Sequence, residues 1–195
     1  MGDGESTHRK VPRNWNPVSP TREMDLRIDR LSACSPEDVA FVKDALRQFV
    51  ISTYYAYYPN IEDWYLEKVI PGFLGGSRTI HVVRSSTAKP VYGVSITKRS
   101  DKDYDKICSF FLAPEARRLG IGTRLMECTL AALRSPTDRK PVLITVPEDR
   151  ATEEADAERH PFLEFLKIFG FKVVDALPNR YRPGRTEIIC VLNDK

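Results

Sequence analysis

The chain has 195 residues, enough for one well-packed domain and too few for two domains of ordinary size. Its 42% hydrophobic and 29% charged residues are typical of a globular protein, and no apolar run approaches the roughly 20 residues that span a bilayer, which argues against a membrane protein. The net charge of +3 favours an anionic cofactor or partner but is far from the basic stripe of a dedicated nucleic-acid binder.

The cysteines indicate a reducing environment rather than a metal site. Cys34, Cys108, Cys128 and Cys190 are widely spaced, include no Cys-x-x-Cys pair and show no ligand-like spacing with the three histidines. We therefore expect free thiols, no bound metal and a cytoplasmic location.

The N-terminal segment 1–23 differs in composition from the rest of the chain. It is polar, contains Pro12, Pro17 and Pro20, and has no apolar run. Such a segment cannot act as a secretory signal and cannot bury enough surface to fold. We expect a disordered tail over 1–23 and a single domain over 24–195.

The first predicted elements of the domain are a strand and a helix. Alternating apolar residues predict the strand from Met24 to Leu31. Ser35 can cap the following helix, Pro36 suits its first turn and Asp38 can complete a capping box. The helix carries an apolar stripe formed by Val39, Val42, Leu46, Phe49 and Val50.

A second helix and three strands are predicted next. Beyond a tyrosine-rich segment, the helix should run from about Ile61 to Ile70 and stop at Pro71-Gly72. Short polar turns then separate three strands, which indicates an antiparallel meander. The strands are expected at Thr79 to Arg84, Val91 to Lys98 and Lys106 to Leu112.

The most informative segment follows the third of these strands. Pro114 leads into Arg117-Arg118-Leu119-Gly120-Ile121-Gly122, from which a helix should continue to about Arg134. Unpaired amides at the first turn of a helix and its partial positive charge can hold a phosphate, and the glycines let the backbone approach it. The arginines add positive charge.

Two familiar phosphate loops do not fit this segment. A P-loop would have Gly-Lys-Ser/Thr, whereas Gly122 is followed by Thr123 and Arg124. A dinucleotide fingerprint needs a third glycine where Leu125 stands.

The remaining predicted elements are a central strand, a helix and two closing strands. The apolar run from Val142 to Val146, bounded by Pro141 and Pro147, predicts a central strand that is reached by a helical crossover and lies parallel to the preceding one. An acidic segment over 148–158 precedes a helix from Pro161 to Phe169 that ends at Gly170. Closing strands are expected at Phe171 to Ala176 and Thr186 to Leu192.

The glycine segment and the order of elements together resemble the GNAT superfamily of acyl-CoA-dependent N-acetyltransferases. Arg117, Gly120 and Gly122 match the family motif Gln/Arg-x-x-Gly-x-Gly/Ala, and the late helix ends on the typical Gly170-Phe171 pair. The resemblance spans Met24 to about Leu192. It implies an α/β (α+β) fold in which a mixed, mostly antiparallel seven-stranded sheet is flanked by about four helices, in the order β-α-α-β-β-β-α-β-α-β-β.

The resemblance also implies where acetyl-CoA would bind as cosubstrate. In the family, the strand before the loop and the next parallel strand splay apart, and the pantetheine arm enters between them. Val146 and its neighbours would form one wall of that gap. The implied pantetheine contacts are Phe110, Phe111 and Leu112, and the implied pyrophosphate loop comprises Arg117, Arg118, Leu119, Gly120, Ile121, Gly122 and Thr123.

The catalytic residues of the family are only partly matched. Leu166 stands where many members place the tyrosine that protonates the thiolate, and Lys106, next to Asp105, stands where histone-acetylating members place a glutamate. Tyr181, in the turn between the closing strands, is the candidate proton donor. Other candidates, each with a structural alternative, are His160, Glu164, His81 and Ser109; a base acting through water is a further option.

The acceptor site would lie among the first two helices and the loop between the last strands. Arginines 180, 182 and 185 there could hold an anion or simply be exposed. The aromatic residues could hold a cation or a planar group, or could pack the helices onto the sheet. They are Tyr54, Tyr55, Tyr57, Tyr58, Trp64 and Tyr65.

These features predict an N-acetyltransferase that acts on a primary amine of a small molecule, a protein or an aminoacyl-tRNA. Leu166 and Lys106 motivate one alternative, a non-catalytic acyl-CoA-binding or interaction domain on the same scaffold. The basic balance and clustered arginines motivate another, a toxin-like enzyme that acetylates charged tRNA. A homodimer is compatible with the sequence, and a membrane partner is not expected.

Overall fold

A computed structural model describes residues 25–85, 90–100, 103–134, 140–148 and 161–193, so the tail expected over 1–23 and the acidic segment from 149 onwards lie outside the described residues. The elements, in chain order, are β1 (Leu26–Arg30), α1 (Pro36–Lys43), α2 (Ala45–Tyr54), α3 (Ile61–Trp64), a π-helical stretch (Tyr65–Val69), α4 (Ile70–Leu74), β2 (Arg78–Ser85), β3 (Val91–Lys98), β4 (Asp105–Leu112), a 3-10 turn (Pro114–Ala116), α5 (Ile121–Leu133), β5 (Val142–Pro147), α6 (Pro161–Ile168), β6 (Lys172–Pro178) and β7 (Thr186–Leu192).

The strands form one seven-stranded sheet in the order β1-β2-β3-β4-β5-β7-β6. Every neighbouring pair is antiparallel except β4 and β5, which are parallel and are connected through α5. The predicted mixed, mostly antiparallel sheet and its parallel central pair are therefore confirmed. The helical segments fall into the four expected units: α1 with α2, the continuous stretch from α3 to α4, α5, and α6.

Helices cover both faces of the sheet. We call the face under α1 to α4 the first face; its core contains Val42, Leu46 and Val50 packed with Ile80 and Ile96. The second face lies under α5 and α6. Its core joins side chains of α5 and α6 to those of the central strands, and these include Ile107, Leu125, Met126, Leu130, Ile144, Val146, Leu166 and Cys190.

The first predicted helix is divided in two. The chain breaks at Asp44, where φ is −115° and ψ is −85°, and α2 then continues to Tyr54. The break leaves the apolar stripe intact, which is why periodicity alone gave no sign of it. The Ser35 side chain caps α1 as expected, but Asp38 accepts from the amide of Ser32 rather than closing a capping box.

The predicted stop at Pro71-Gly72 is wrong, since α4 extends to Leu74. Proline is tolerated here because it lies in the first turn of α4, directly after a π-helical stretch in which the usual hydrogen-bond ladder is already interrupted. The Lys68 carbonyl of that stretch accepts from Arg78 Nε at 2.8 Å.

Most other boundaries agree to within two residues. The bounds of β3 and β7 match the predicted ones, while β6 runs from Lys172 to Pro178 rather than from Phe171 to Ala176. Phe171 is buried in the core of the second face just before the strand. Gly170, with φ at +86°, follows α6 as predicted.

Candidate active site

The parallel strands β4 and β5 pair over only three positions. Asp105, Lys106 and Ile107 face Val142, Leu143 and Ile144, after which both strands continue without pairing to each other. Along its other edge β5 stays paired with β7 over its whole length, so its backbone remains ordered. The gap offers free strand edges that can bind an extended ligand in the manner of an added strand.

A β-bulge lies where this gap begins. Thr97 of β3 faces Ile107 and Ile96 faces Ser109, so Cys108 is an extra residue in β4. Cys108 packs with the core of the first face, and Ser109 reaches Tyr54 on the same side. The bulge therefore directs two consecutive side chains toward α2 and α3.

The glycine segment joins the end of β4 to the start of α5. Gly120 is the N-cap of α5 in the left-handed region, with φ at +74°, and a Cβ there would meet no atom within 4 Å. Arg118 is also left-handed, with φ at 62°, and Arg117 Nε donates to the Leu112 carbonyl at 2.9 Å. This is the tight, open helix start that the phosphate-loop prediction requires.

The three residues predicted to contact pantetheine lie on both faces of β4. Phe110 stacks against Phe162 and Phe165 of α6, with ring centroids 5.7 and 5.8 Å away, and Leu112 packs on the same second face. Phe111 instead turns to the first face, where its ring meets Phe49 edge-on at 5.7 Å.

A cleft of about 350 Å³ lies on the first face. It is bounded by the α2–α3 segment, by the ends of β2 to β5 and by the turn between β6 and β7. Its lining residues are Tyr54, Tyr58, Pro59, Asn60, Ile61, Trp64, Arg78, Lys98, Lys106, Ile107, Cys108, Ser109, Phe110, Ile144, Thr145, Pro147 and Tyr181. The cleft thus reaches the point where β4 and β5 separate.

Two hydroxyl groups meet at the inner end of the cleft. Ser109 Oγ donates to the Tyr54 hydroxyl at 2.9 Å, two residues beyond the last β4–β5 pair. Burial raises the pKa of Tyr54 to about 12, against the opposing effect of hydrogen bonds from Ser109 and the Phe110 backbone. Tyr54 therefore keeps its proton at neutral pH.

A buried carboxyl group supports the neighbouring tyrosine. Tyr58 donates to Glu187 Oε2 at 3.3 Å, and the Glu187 residue is only 3% exposed. Burial raises the pKa of Glu187, although the hydrogen bond from Tyr58 and the charges of Lys106 and the nearby arginines act in the opposite direction. Sequence reasoning missed Glu187; its signal is a single acid within the otherwise apolar run of β7.

The turn between β6 and β7 covers the cleft from outside. Tyr181, 43% exposed, lies edge-on to the Tyr58 ring with centroids 5.5 Å apart. Arg182 donates to the Ala56 carbonyl, and the Arg185 guanidinium lies 5.1 Å from the Tyr57 ring centroid. These contacts attach the turn to the α2–α3 connection and place Tyr181 at the edge of the cleft.

His81 and Glu164, two other sequence candidates, lie away from the cleft. His81 is buried in β2 next to Ser95, which accepts from Thr129 of α5 on the second face, and burial lowers the pKa of His81. Glu164 pairs with Lys167 at 2.6 Å on the surface of α6. His160 lies outside the described residues. Leu166 is buried in the core of the second face at 1% exposure.

In the described part of the chain, no group of three or more His, Cys, Asp or Glu side chains could hold a metal ion. All four cysteines are free thiols. Within the same residues, no helix is long and apolar enough to cross a membrane.

Chelator treatment is expected to leave acetyl transfer unchanged. The reason is that the cysteines and histidines lack ligand-like spacing, so no step should depend on a divalent ion. Activity before and after EDTA, with elemental analysis of the purified protein, checks this. A stoichiometric zinc ion would contradict it.

Comparison with known proteins agrees with the fold. The model of the acetyltransferase (GNAT) family matches residues 40–171. The chain therefore belongs to the GNAT acetyltransferases, as the resemblance of the sequence indicated. No curated protein sequence matches it.

Solved structures share this architecture at low sequence identity. A protein assigned to the GNAT family from Desulfovibrio desulfuricans has a TM-score of 0.62 and 18% identity, over 86% of this chain and 98% of that one. The PaiA N-acetyltransferase of Thermoplasma acidophilum, solved with coenzyme A, has a TM-score of 0.57 and 18% identity, over 88% of this chain and 100% of that one. The aminoglycoside 6′-N-acetyltransferase of Enterococcus faecium has a TM-score of 0.57 and 17% identity, over 85% of this chain and 96% of that one.

Proposed function

We propose that this protein is a cytoplasmic N-acetyltransferase that transfers the acetyl group of acetyl-CoA to a primary amine bound in the cleft. One observation carries the proposal. The gap between β4 and β5 meets the cleft at the point where the strands separate, and it extends from there toward the glycine loop that follows β4. A thioester held in the gap would therefore meet an amine at the bulge, as direct transfer requires.

The cofactor side of this proposal rests on the loop and on the end of β4. The backbone of Arg117 to Thr123 would bind the pyrophosphate at the N-terminus of α5. Phe110 and Leu112 would flank the pantetheine arm on the second face, and Phe111 would contact it from the first face. Acetyl-CoA supplies the activated acetyl group, and no metal is required.

On the acceptor side, Tyr58 and Glu187 would remove the amine proton. As the amine nitrogen bonds to the acetyl carbon, Tyr58 can accept the proton and pass its own to Glu187 through their hydrogen bond. A carboxylate whose pKa is raised toward neutrality is a better base than an exposed one. This pair provides a base that Lys106 could not supply.

Breaking the carbon–sulfur bond releases the thiolate of CoA, and a tyrosine on the first face would protonate it. Tyr181 is the donor that the sequence favours, whereas Tyr54 lies nearer the point where β4 and β5 separate. Replacing either tyrosine by phenylalanine removes the hydroxyl and keeps the packing of the ring.

Tyr181→Phe and Tyr54→Phe identify the donor. The variant that removes it is expected to lower kcat by about 10²- to 10⁴-fold with little change in acetyl-CoA affinity, because a positioned acid acts on the chemical step. Steady-state kinetics and calorimetry on both variants measure this. A change below about threefold in both would show that CoA departs as the thiolate, which a thiol pKa of about 8.5 allows.

The function itself is tested with purified protein, acetyl-CoA and a panel of primary amines, with mass spectrometry of the products and a thiol assay for released CoA. Formation of an N-acetyl product coupled to CoA release supports the proposal. Tight CoA binding with no transfer to any amine would overturn it in favour of a non-catalytic acyl-CoA-binding domain.

The panel should include a model peptide and an aminoacyl-tRNA beside small amines. Acetylation of aminoacyl-tRNA, together with growth arrest that a glycine-loop variant relieves, would identify the toxin-like alternative. Size-exclusion chromatography of the same preparation distinguishes a monomer from a homodimer.

A further inference from the structure

We propose that the acceptor is a small primary amine that also carries an anionic group, a carboxylate or a phosphate, and that three cations arranged across the sheet bind this group. The inference deepens the proposed function and rests on it, since the cleft is taken as the acceptor site. The three residues are Arg78, Lys98 and Lys106, here called the cationic ladder. Each comes from a different strand, and each lines the cleft.

The register of the sheet places these cations side by side. Arg78 of β2 faces Lys98 of β3, and Lys98 faces Lys106 of β4. Directly opposite residues on antiparallel strands have Cβ atoms about 4.5–5.5 Å apart, and like charges in such pairs destabilise a sheet. Two like-charge pairs in one row therefore cost folding free energy unless an anion lies between them.

The described part of the chain does not neutralise the ladder. The ammonium groups of Lys98 and Lys106 form no ion pair or hydrogen bond with any described residue, and no Asp or Glu lines the cleft. Glu187 acts on Lys106 electrostatically, but it is buried and hydrogen-bonded to Tyr58. Even a fully ionised Glu187 would leave an excess of positive charge at the cleft.

Arg78 is held in place for such a role. Its Nε donates to the Lys68 carbonyl at 2.8 Å and its Nη1 to Cys108 Sγ at 3.0 Å, while Trp64 lies below the guanidinium with its ring centroid 5.7 Å away. A fixed guanidinium loses little side-chain entropy when it binds an anion. Arg78, which contacts the bulged Cys108, is therefore preorganised.

The remainder of the cleft sets the size and polarity of the ligand. Its volume of about 350 Å³ lies in the range of small-molecule sites, and tyrosine and tryptophan rings form much of its wall. The same positive field disfavours an ammonium ion and so favours the neutral amine that attacks the thioester. It would also repel a polycationic acceptor such as an aminoglycoside.

Isosteric probes test this proposal. One pair is 4-(aminomethyl)benzoate and 4-(aminomethyl)benzamide, which share size and amine and differ in charge; phosphoethanolamine and ethanolamine form the phosphate counterpart, and kanamycin is the polycation. Binding is measured by calorimetry in the presence of CoA, and transfer is measured separately by mass spectrometry. We expect the anionic member of at least one pair to bind about tenfold or more tightly than its neutral partner.

Variants of the ladder supply the matched controls. In Lys98→Gln/Lys106→Gln the preference should fall to about twofold or less, and the variant should melt at or above the wild-type temperature because the like-charge pair is gone. Lys43→Gln, an exposed lysine of α1, should keep the wild-type preference. In the wild type, raising the salt concentration should reduce the preference without any substitution.

The outcomes separate the two proposals. Equal binding of charged and neutral partners, tightest binding of kanamycin, or a preference that survives in the double variant would each overturn the anionic acceptor, whatever the enzyme acetylates. Selective binding of the anionic probe without transfer of acetyl to any amine would overturn the acetyltransferase function and leave the anion site standing.

Discussion

Gly120→Glu is expected to abolish acetyl-CoA binding while the protein stays folded. Gly120 has φ at +74° at the N-terminus of α5, so any side chain costs about 1–2 kcal/mol there, although space is available. A carboxylate at a helix N-terminus recovers part of that cost through the helix dipole. It also occupies the position where the pyrophosphate would bind, and repels it.

The measurements are calorimetric titration with CoA and thermal melting. Gly120→Ala is the matched control, because it carries the same backbone strain without the charge and should retain measurable affinity. A folded Gly120→Glu protein that binds CoA like the wild type would disprove the assignment of this loop to the cofactor.

Glu187→Gln is expected to lower kcat by about 10²- to 10⁴-fold, the usual contribution of a positioned general base. Glutamine can still accept the hydrogen bond from Tyr58, but it cannot take up the proton. Because Tyr58 is the group that lines the cleft, Tyr58→Phe should cause a loss of similar size. A double variant that loses no more activity than either single variant would show that the two residues act as one relay.

The pH dependence of kcat tests the same assignment. Burial raises the pKa of Glu187, so wild-type activity should fall as the pH drops through this raised value, and Glu187→Gln should lack that acidic limb. An unchanged profile in the variant would show that the base is another group.

The stability of the folded protein should change with pH in the direction opposite to kcat. The folded protein holds the Glu187 proton more tightly than the unfolded chain does, so stability falls as the pH rises from the ordinary carboxyl pKa through the raised one. Above this window the buried carboxylate destabilises the fold, and Glu187→Gln should melt at or above the wild-type temperature. A large drop in melting temperature would instead indicate a structural role.

The sequence predicted those parts of the fold that depend on local chemistry. The strand, Pro114, the paired glycines and the amphipathic helix follow one another along the chain, so the loop and its parallel crossover could be inferred directly. The break at Asp44 and the passage of the helix through Pro71 could not, because both depend on how the helical segments fit the sheet.

The candidate site was less accessible to sequence reasoning. Tyr54 and Tyr58 belonged to a tyrosine-rich segment in which packing and function look alike. Glu187 lies more than a hundred positions further along the chain, and only the pairing of β5 with β7 brings it to Tyr58. The cationic ladder likewise depends on strand register, which an isolated strand pattern does not specify.

The extra residue Cys108 has a consequence for the alternation of side chains along β4. Before it, odd-numbered Ile107 belongs to the core of the second face; after it, odd-numbered Ser109 and Phe111 belong to the first. Deleting one residue there would exchange the two sets, turning Phe110 and Leu112 to the first face and the Ser109 hydroxyl away from Tyr54. A single inserted residue therefore determines which chemical groups meet the acceptor. A sequence alignment that does not allow for this insertion would assign every later residue of β4 to the wrong substrate.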